Sequence, residues 1–258
     1  MAQSTISASP PSPATAVPAL LSEQTMSSLF ANIGHVYQHH FRVIFHCSAL
    51  PMFPLLLLME VVKVTAPKWV MLVVLPYSLV SFVVGGVMTV VLSDICLGNR
   101  PTVRRSYARI LGENRWWHLI STGLVFSLGV SLGMLLLILP GLWLWVRGFF
   151  TFVIAALEGR RNRDAIKRSM ALTKGQVWRV VGLTLPFYLI LMVPIWGLGI
   201  VASGLPAMTG FVVSLLVNVV LLMVITPAVA LALVLLYYDQ RVRRESYDAQ
   251  ALSEDLMR

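Results

Sequence analysis

EGRRNRDAIKRSMALTKGQVWR, residues 158–179, decides how this chain is read. The stretch is polar and helix-prone, and it lies between two long apolar runs. Seven of its residues are Lys or Arg. Asn162 is a candidate N-cap, Asp164 falls in a first turn where the helix dipole favours an acid, and Gly175 can end the helix. Ile166, Met170, Thr173 and Val177 line one face, and Asp164 and Arg168 form an i,i+4 pair. A short helix of this kind, flanked by apolar blocks, belongs in a membrane interface.

The neighbouring blocks define the fold class. The chain is 57% hydrophobic and 12% charged, about half the charged fraction of a soluble domain. The apolar runs reach the roughly 20 residues needed to span about 30 Å of hydrocarbon. The reading is an all-α integral membrane protein with six transmembrane helices in three hairpins, each hairpin preceded by a short interfacial amphipathic helix. The spans fall near residues 43–62, 69–93, 119–139, 142–157, 180–200 and 211–238. Pro51 and Pro54 kink the first and Pro227 interrupts the sixth. Pro140-Gly141 forms the turn between the third and fourth. A helix over residues 27–40 would precede the first hairpin, with Leu29, Ile33, Val36 and Tyr37 at helical spacing.

Three domains follow. Residues 1–26 are Ser-, Pro- and Ala-rich and cannot bury a core, which predicts a disordered tail. With no Lys or Arg before Arg42, they do not read as a signal peptide. Residues 27–242 form the membrane domain, and residues 243–258 a charged tail.

Charge sets the orientation. Seventeen of the twenty Lys and Arg residues fall on one side of the six spans, only Lys63 and Lys68 on the other, and Arg147 within a span. The positive-inside rule then places both termini in the cytoplasm of a bacterial inner membrane. The net charge of +9 points to anionic lipid headgroups and not to nucleic acid, because the basic residues flank apolar spans. Cys47 and Cys96 are expected to be free thiols in a reducing compartment.

The opening stretch also has a partial copy. At an offset of 63 residues, Asn99, Arg100, Arg105, Ser106, Ala108 and Gly112 meet Asn162, Arg163, Arg168, Ser169, Ala171 and Gly175. This predicts an internal repeat whose units enter the membrane from the same side.

The run LILPGLWLWVRGFFTFVIAALEGRRNRDAIKRSMALTKGQVWRV, residues 137–180, resembles a group of prokaryotic multi-pass membrane proteins. The residues that carry the likeness are Pro140, Gly141, Arg147, Glu158, Ala165, Arg168, Ser169, Leu172, Gly175 and Trp178. LLYYDQRVRRESYD, residues 235–248, is similar to the group's closing signature. The group includes the membrane domain attached to some glycerophosphoryl diester phosphodiesterases. The resemblance covers residues 30–248 and implies a fold. It implies no activity here, because the chain has no room for the soluble phosphodiesterase barrel.

Candidate sites follow from charges in costly places. Arg147 lies within a span and needs a partner or water. Glu60 is the acid at comparable depth. The two either line a polar cavity or form a structural pair, or Arg147 turns outward beside Trp143 and Trp145. Asp94, Glu158 and Asp239 end the three even-numbered spans, where an acid opposes the dipole and requires cations. Arg100, Arg160 and Arg241 are the candidates. Arg104, Arg105, Arg160, Arg161, Lys167, Arg168, Arg241, Arg243 and Arg244 are expected to face anionic lipid. His35 and His39 have a metal-compatible i,i+4 spacing, with His40 adjacent, but no Cys or acid lies near them. Gly129 and Gly133 allow close helix contact, read as internal packing. No phosphate-loop, zinc-protease or serine-hydrolase motif occurs, and no cofactor is expected.

The leading expectation is a non-enzymatic inner-membrane protein that acts by binding lipid or a protein partner, a second copy of the chain included. The first alternative is a transporter or channel subunit with a polar site near Arg147. The second is a lipid-modifying enzyme, for which no nucleophile can be named. A water-filled cavity reaching Arg147 favours transport, and a carboxylate–histidine cluster favours the enzyme.

Overall fold

A computed structural model describes residues 25–96, 98–112 and 114–245. The expected disordered tail, but for its last two residues, and most of the charged C-terminal tail lie outside these residues. Every element among the described residues is helical. The helices are α1 (Met26–Thr65), α2 (Val70–Cys96), α3 (Val103–Gly112), α4 (Arg115–Leu136), α5 (Ile138–Arg147), α6 (Thr151–Leu157), α7 (Asn162–Thr173), α8 (Val177–Ser203), α9 (Ala207–Val220) and α10 (Thr226–Glu245). Six helical segments are long and apolar enough to cross a membrane: Ser27–Thr65, Pro67–Cys96, Arg115–Leu136, Ile138–Leu157, Val177–Ser203 and Met208–Arg244. This is the architecture of a multi-pass membrane protein.

The first span differs from the expectation. A separate interfacial helix and a span were expected, and the structure has one continuous helix of 40 residues. Thr25 and Ser28 start it with reciprocal side-chain-to-backbone bonds. At about 1.5 Å per residue α1 is roughly 60 Å long, about twice the hydrocarbon thickness. Its first turns are tied down, since Leu29, Ile33 and Val36 are buried and the Tyr37 hydroxyl donates to the Val224 carbonyl at 2.6 Å. Pro51 and Pro54 sit inside the helix, as apolar surroundings permit.

The turn between the third and fourth spans is also displaced. Leu137 is extended (φ −157°, ψ 130°) and separates α4 from α5. Pro140 therefore sits in the first turn of α5, where its missing N–H costs nothing. Gly133 and Gly141 bring the two helices into contact: a Cβ on Gly133 would lie 2.8 Å from the Gly141 Cα. Gly129 faces Leu144, so both members of the glycine pair pack internally.

The fourth span breaks between α5 and α6, where the Gly148 N–H closes on the Leu144 carbonyl at 2.8 Å. In the sixth span a π-turn, Leu221–Ile225, separates α9 from α10. Pro227 explains it. The ring has no N–H and crowds the carbonyl four residues back, and one wide turn relieves that contact. The Thr226 hydroxyl bonds the Leu221 carbonyl at 3.0 Å.

The core lies where the second, fourth and sixth spans end. Residues 86–96 of α2, 153–157 of α6 and 234–241 of α10 are buried without interruption. α2 packs on both α6 and α10, and Tyr237 and Tyr238 are its largest fully buried side chains. α8 contributes little, and much of its length is exposed.

Candidate functional site at the acidic ends of three spans

Three acids meet the core at its polar end, as their span-terminal positions predict. Glu158 immediately follows α6. Gly159, at φ +65°, then turns the chain, a conformation that favours glycine. The Glu158 carboxylate accepts from Arg160 Nε at 2.8 Å, Arg168 Nε at 3.2 Å and the Tyr237 hydroxyl at 2.8 Å. Arg160 is the expected partner. Arg168 and Tyr237 bind the same carboxylate from α7 and α10, so one acid joins three elements.

Asp239 is 1% exposed. Its Oδ1 accepts from Arg179 Nη2 at 3.3 Å and from Arg243 Nε at 3.1 Å. Arg179 comes from α8 and fixes that lightly packed helix to α10. The expected cation, Arg241, donates to the Tyr237 hydroxyl at 3.2 Å and lies over the Tyr237 ring at 5.6 Å. Arg241 is buried, which corrects its assignment as a lipid-facing residue.

Asp94 is buried near the end of α2. The expected cation, Arg100, is exposed, as is Arg105, and the charges of Arg105 and Arg109 on α3 act on Asp94. Beside it, the Tyr238 hydroxyl donates to Ser93 Oγ at 2.9 Å, and Ser93 to the Thr89 carbonyl at 2.8 Å. The Tyr107 hydroxyl of α3 donates to the Cys47 carbonyl at 2.8 Å. Burial pushes that phenol up to about 12.

Arg147 and Glu60 have separate partners, which corrects the suggested pair. Arg147 Nη2 donates to the Met170 carbonyl at 2.8 Å, and the guanidinium stacks 5.0 Å from the Trp143 ring. The Ser169 hydroxyl returns a bond to the Arg147 carbonyl at 2.8 Å and accepts from the Phe150 N–H at 3.1 Å. The last carbonyls of a helix lack internal partners. Those of α7 receive two arginines, Arg147 at Met170 and Arg244 at Ala171 (3.1 Å). Gly175, at φ +78°, reverses the chain after α7 as expected. Asn162 is not the N-cap. It has φ +42°, and its N–H donates to Thr122 Oγ1 at 2.9 Å.

Glu60 is 2% exposed. It binds Lys63 at 2.6 Å, Ser214 at 3.0 Å and Asn218 at 3.2 Å. Ser214 and Asn218 sit one helical turn apart on α9 and carry no recognisable motif, and sequence reading missed them for that reason.

Of the residues expected to face lipid, Arg104, Arg161 and Lys167 are exposed, and their side chains make no hydrogen bond or ion pair among the described residues. Arg160, Arg168, Arg243 and Arg244 carry the protein contacts given above, and Arg105 is exposed. Cys47 and Cys96 are free and buried. His39 Nδ1 lies 2.9 Å from the His35 carbonyl, and the two rings stack at 4.3 Å. No group of three or more His, Cys, Asp and Glu among the described residues could hold a metal ion.

Residues 116–241, from α4 into α10, are similar to the family described as Domain of unknown function (DUF7847). That likeness takes in Arg147, Glu158, Arg168, Arg179 and Asp239, and it brings no connection to glycerophosphoryl diester phosphodiesterases. No curated protein and no solved structure matches the chain.

Proposed function

We propose that this chain is a non-enzymatic membrane protein whose basic end binds anionic lipid or an acidic partner protein. One observation carries the reading. Glu158 and Asp239 are paired with cations of the bundle and Asp94 is buried, whereas Arg104, Arg161 and Lys167 are exposed. The surface left over is cationic, and such surfaces attract anionic leaflets. By the positive-inside rule this end faces the cytoplasm of an inner membrane, and the six spans are three hairpins entered from that side.

α3 and α7 serve as the amphipathic interfacial helices of the second and third hairpins. Two equivalences support a duplication. Arg105 and Arg168 occupy matching positions, and each acts on the acid that ends the preceding span. Ser106 and Ser169 also match, and both are buried. The first hairpin departs from the pattern, because its leading helix is fused into α1.

Transport is the weaker alternative. Arg147 is engaged by the end of α7, and the cleft beside it is walled by apolar side chains. An enzyme finds no support in the histidines, since no group of three or more His, Cys, Asp and Glu among the described residues could hold a metal ion. The test is lipid retention. The purified protein is analysed by mass spectrometry for co-purifying phospholipid, beside a triple variant, Arg104→Gln, Arg161→Gln, Lys167→Gln. The reading expects enrichment of anionic over zwitterionic lipid, reduced in the variant and by high salt. Equal retention of both lipid classes by both proteins would defeat lipid binding and leave the protein partner.

A further inference from the structure

We infer that the cleft between α5 and α8 is a binding site for one acyl chain of an anionic phospholipid, with the phosphate held at Arg147. The inference rests on the lipid-binding reading and gives it a second, separate location. The cleft holds about 460 Å³, within the roughly 300–1,000 Å³ of ligand sites. Leu142 and Val146 of α5 face Val177, Val181 and Tyr188 of α8 across it. Of its two hydroxyl-bearing side chains, Tyr188 and Thr184, Thr184 is turned to the Val180 carbonyl. The lining is mostly apolar and without a charged side chain, which suits hydrocarbon.

A charged side chain lies beside it. Trp143, Trp145 and Trp178 border the cleft. The Arg147 guanidinium lies over Trp143. One of its three nitrogens binds the Met170 carbonyl, and Nε is buried without a partner. No acidic side chain pairs with Arg147 among the described residues. Its charge is left uncompensated beside an apolar slot that opens to the bilayer. An occupant with one long chain and a net negative charge satisfies both features; a free anion lacks the chain, and in a zwitterionic lipid the ammonium offsets the phosphate charge.

Tryptophan quenching by brominated lipid tests this in the full chain. Trp69, Trp116, Trp117 and Trp196 are replaced by Phe, leaving the three indoles that border the cleft. The protein is reconstituted in phosphatidylcholine vesicles containing an equal mole fraction of either brominated phosphatidylglycerol or brominated phosphatidylcholine. The expected preference for the glycerol lipid is about fivefold in apparent binding, the effect of one basic residue beside an anionic surface. Arg147→Gln keeps a donor for Met170 and should bring the ratio to about one, while Arg147→Lys keeps it raised. Val181→Phe, which narrows the cleft and leaves Arg147 alone, should weaken quenching by both lipids. Equal quenching in the parent protein, or a preference that survives Arg147→Gln, overturns the inference. Anionic lipid retained through Arg104, Arg161 and Lys167 without this preference would remove the cleft site alone.

Discussion

Removal of the Glu158 carboxylate is the sharpest probe of how the bundle is held together. The three contacts at Glu158 are unequal. The Arg160 side chain is 50% exposed and that of Arg168 is 21% exposed, while Tyr237 is fully buried. An exposed ion pair contributes about 0.2–1 kcal/mol, and a hydrogen bond to a charged group about 1.5–3 kcal/mol. Glu158→Ala leaves the Tyr237 hydroxyl and the Arg168 guanidinium short of an acceptor in a half-buried site. Its expected cost is about 3 kcal/mol, the low end for breaking a buried pair. Double-mutant cycles with Arg168→Ala and Arg160→Ala separate the contributions. Coupling of Glu158 to Arg168 should be about 1–2 kcal/mol, and to Arg160 no more than about 0.5 kcal/mol. The assay is equilibrium unfolding in mixed detergent micelles. The charge swap Glu158→Arg with Arg168→Glu should recover part of the loss. Coupling to Arg160 that equals or exceeds coupling to Arg168 would refute the placement of α7 against α6.

Other expectations follow from single contacts. Arg147→Leu removes the cap on α7 and should cost about 1.5–3 kcal/mol, the value of a hydrogen bond to a charged group, with span topology retained in protease mapping. Gly133→Ala drives a Cβ against the Gly141 backbone, whereas Gly85→Ala meets nothing within 4 Å. Thermal melts should fall for the first and rise for the second, the latter by about 0.5–1 kcal/mol. Tyr107 titrates near 12 when folded and near 10 when unfolded. Its neutral form is favoured by folding, so this contribution is complete below pH ~10 and is lost as pH rises towards 12. Ultraviolet titration of Tyr107→Phe should lack one late-ionising phenol.

Much of the architecture was legible because membrane spans are read from long-range apolar character, which single residues barely alter. The acids at the ends of α2 and α6 were legible for a related reason: an acid at a helix C-terminus demands cations. Asp239 departs from that expectation, since α10 runs on to Glu245. Which cations answer was not legible. Arg168 and Arg179 reach their acids through tertiary packing, and Arg241 lies over an aromatic ring one turn back. Arg147 misled for a physical reason as well. A buried guanidinium suggests a carboxylate, but the end of α7 offers unbonded carbonyls that serve as well, and these show only in three dimensions. Ser214 and Asn218 reach Glu60 across a separation of more than 150 residues. The turn at Leu137 escaped notice because Pro140 starts a helix as readily as it ends one. The fusion within α1 escaped because no breaker separates His40 from Val43.

The central claim is that six spans place the basic end of the bundle on the inner side of the membrane. Lys68, in the short turn that precedes α2, and Lys167 on α7 are both exposed, while native Cys47 and Cys96 are buried. Lys68→Cys and Lys167→Cys are each treated with a membrane-impermeant maleimide in intact cells and after permeabilisation. The account predicts labelling of Lys68→Cys from outside and of Lys167→Cys only once the membrane is opened. Labelling of Lys167→Cys in intact cells would contradict it.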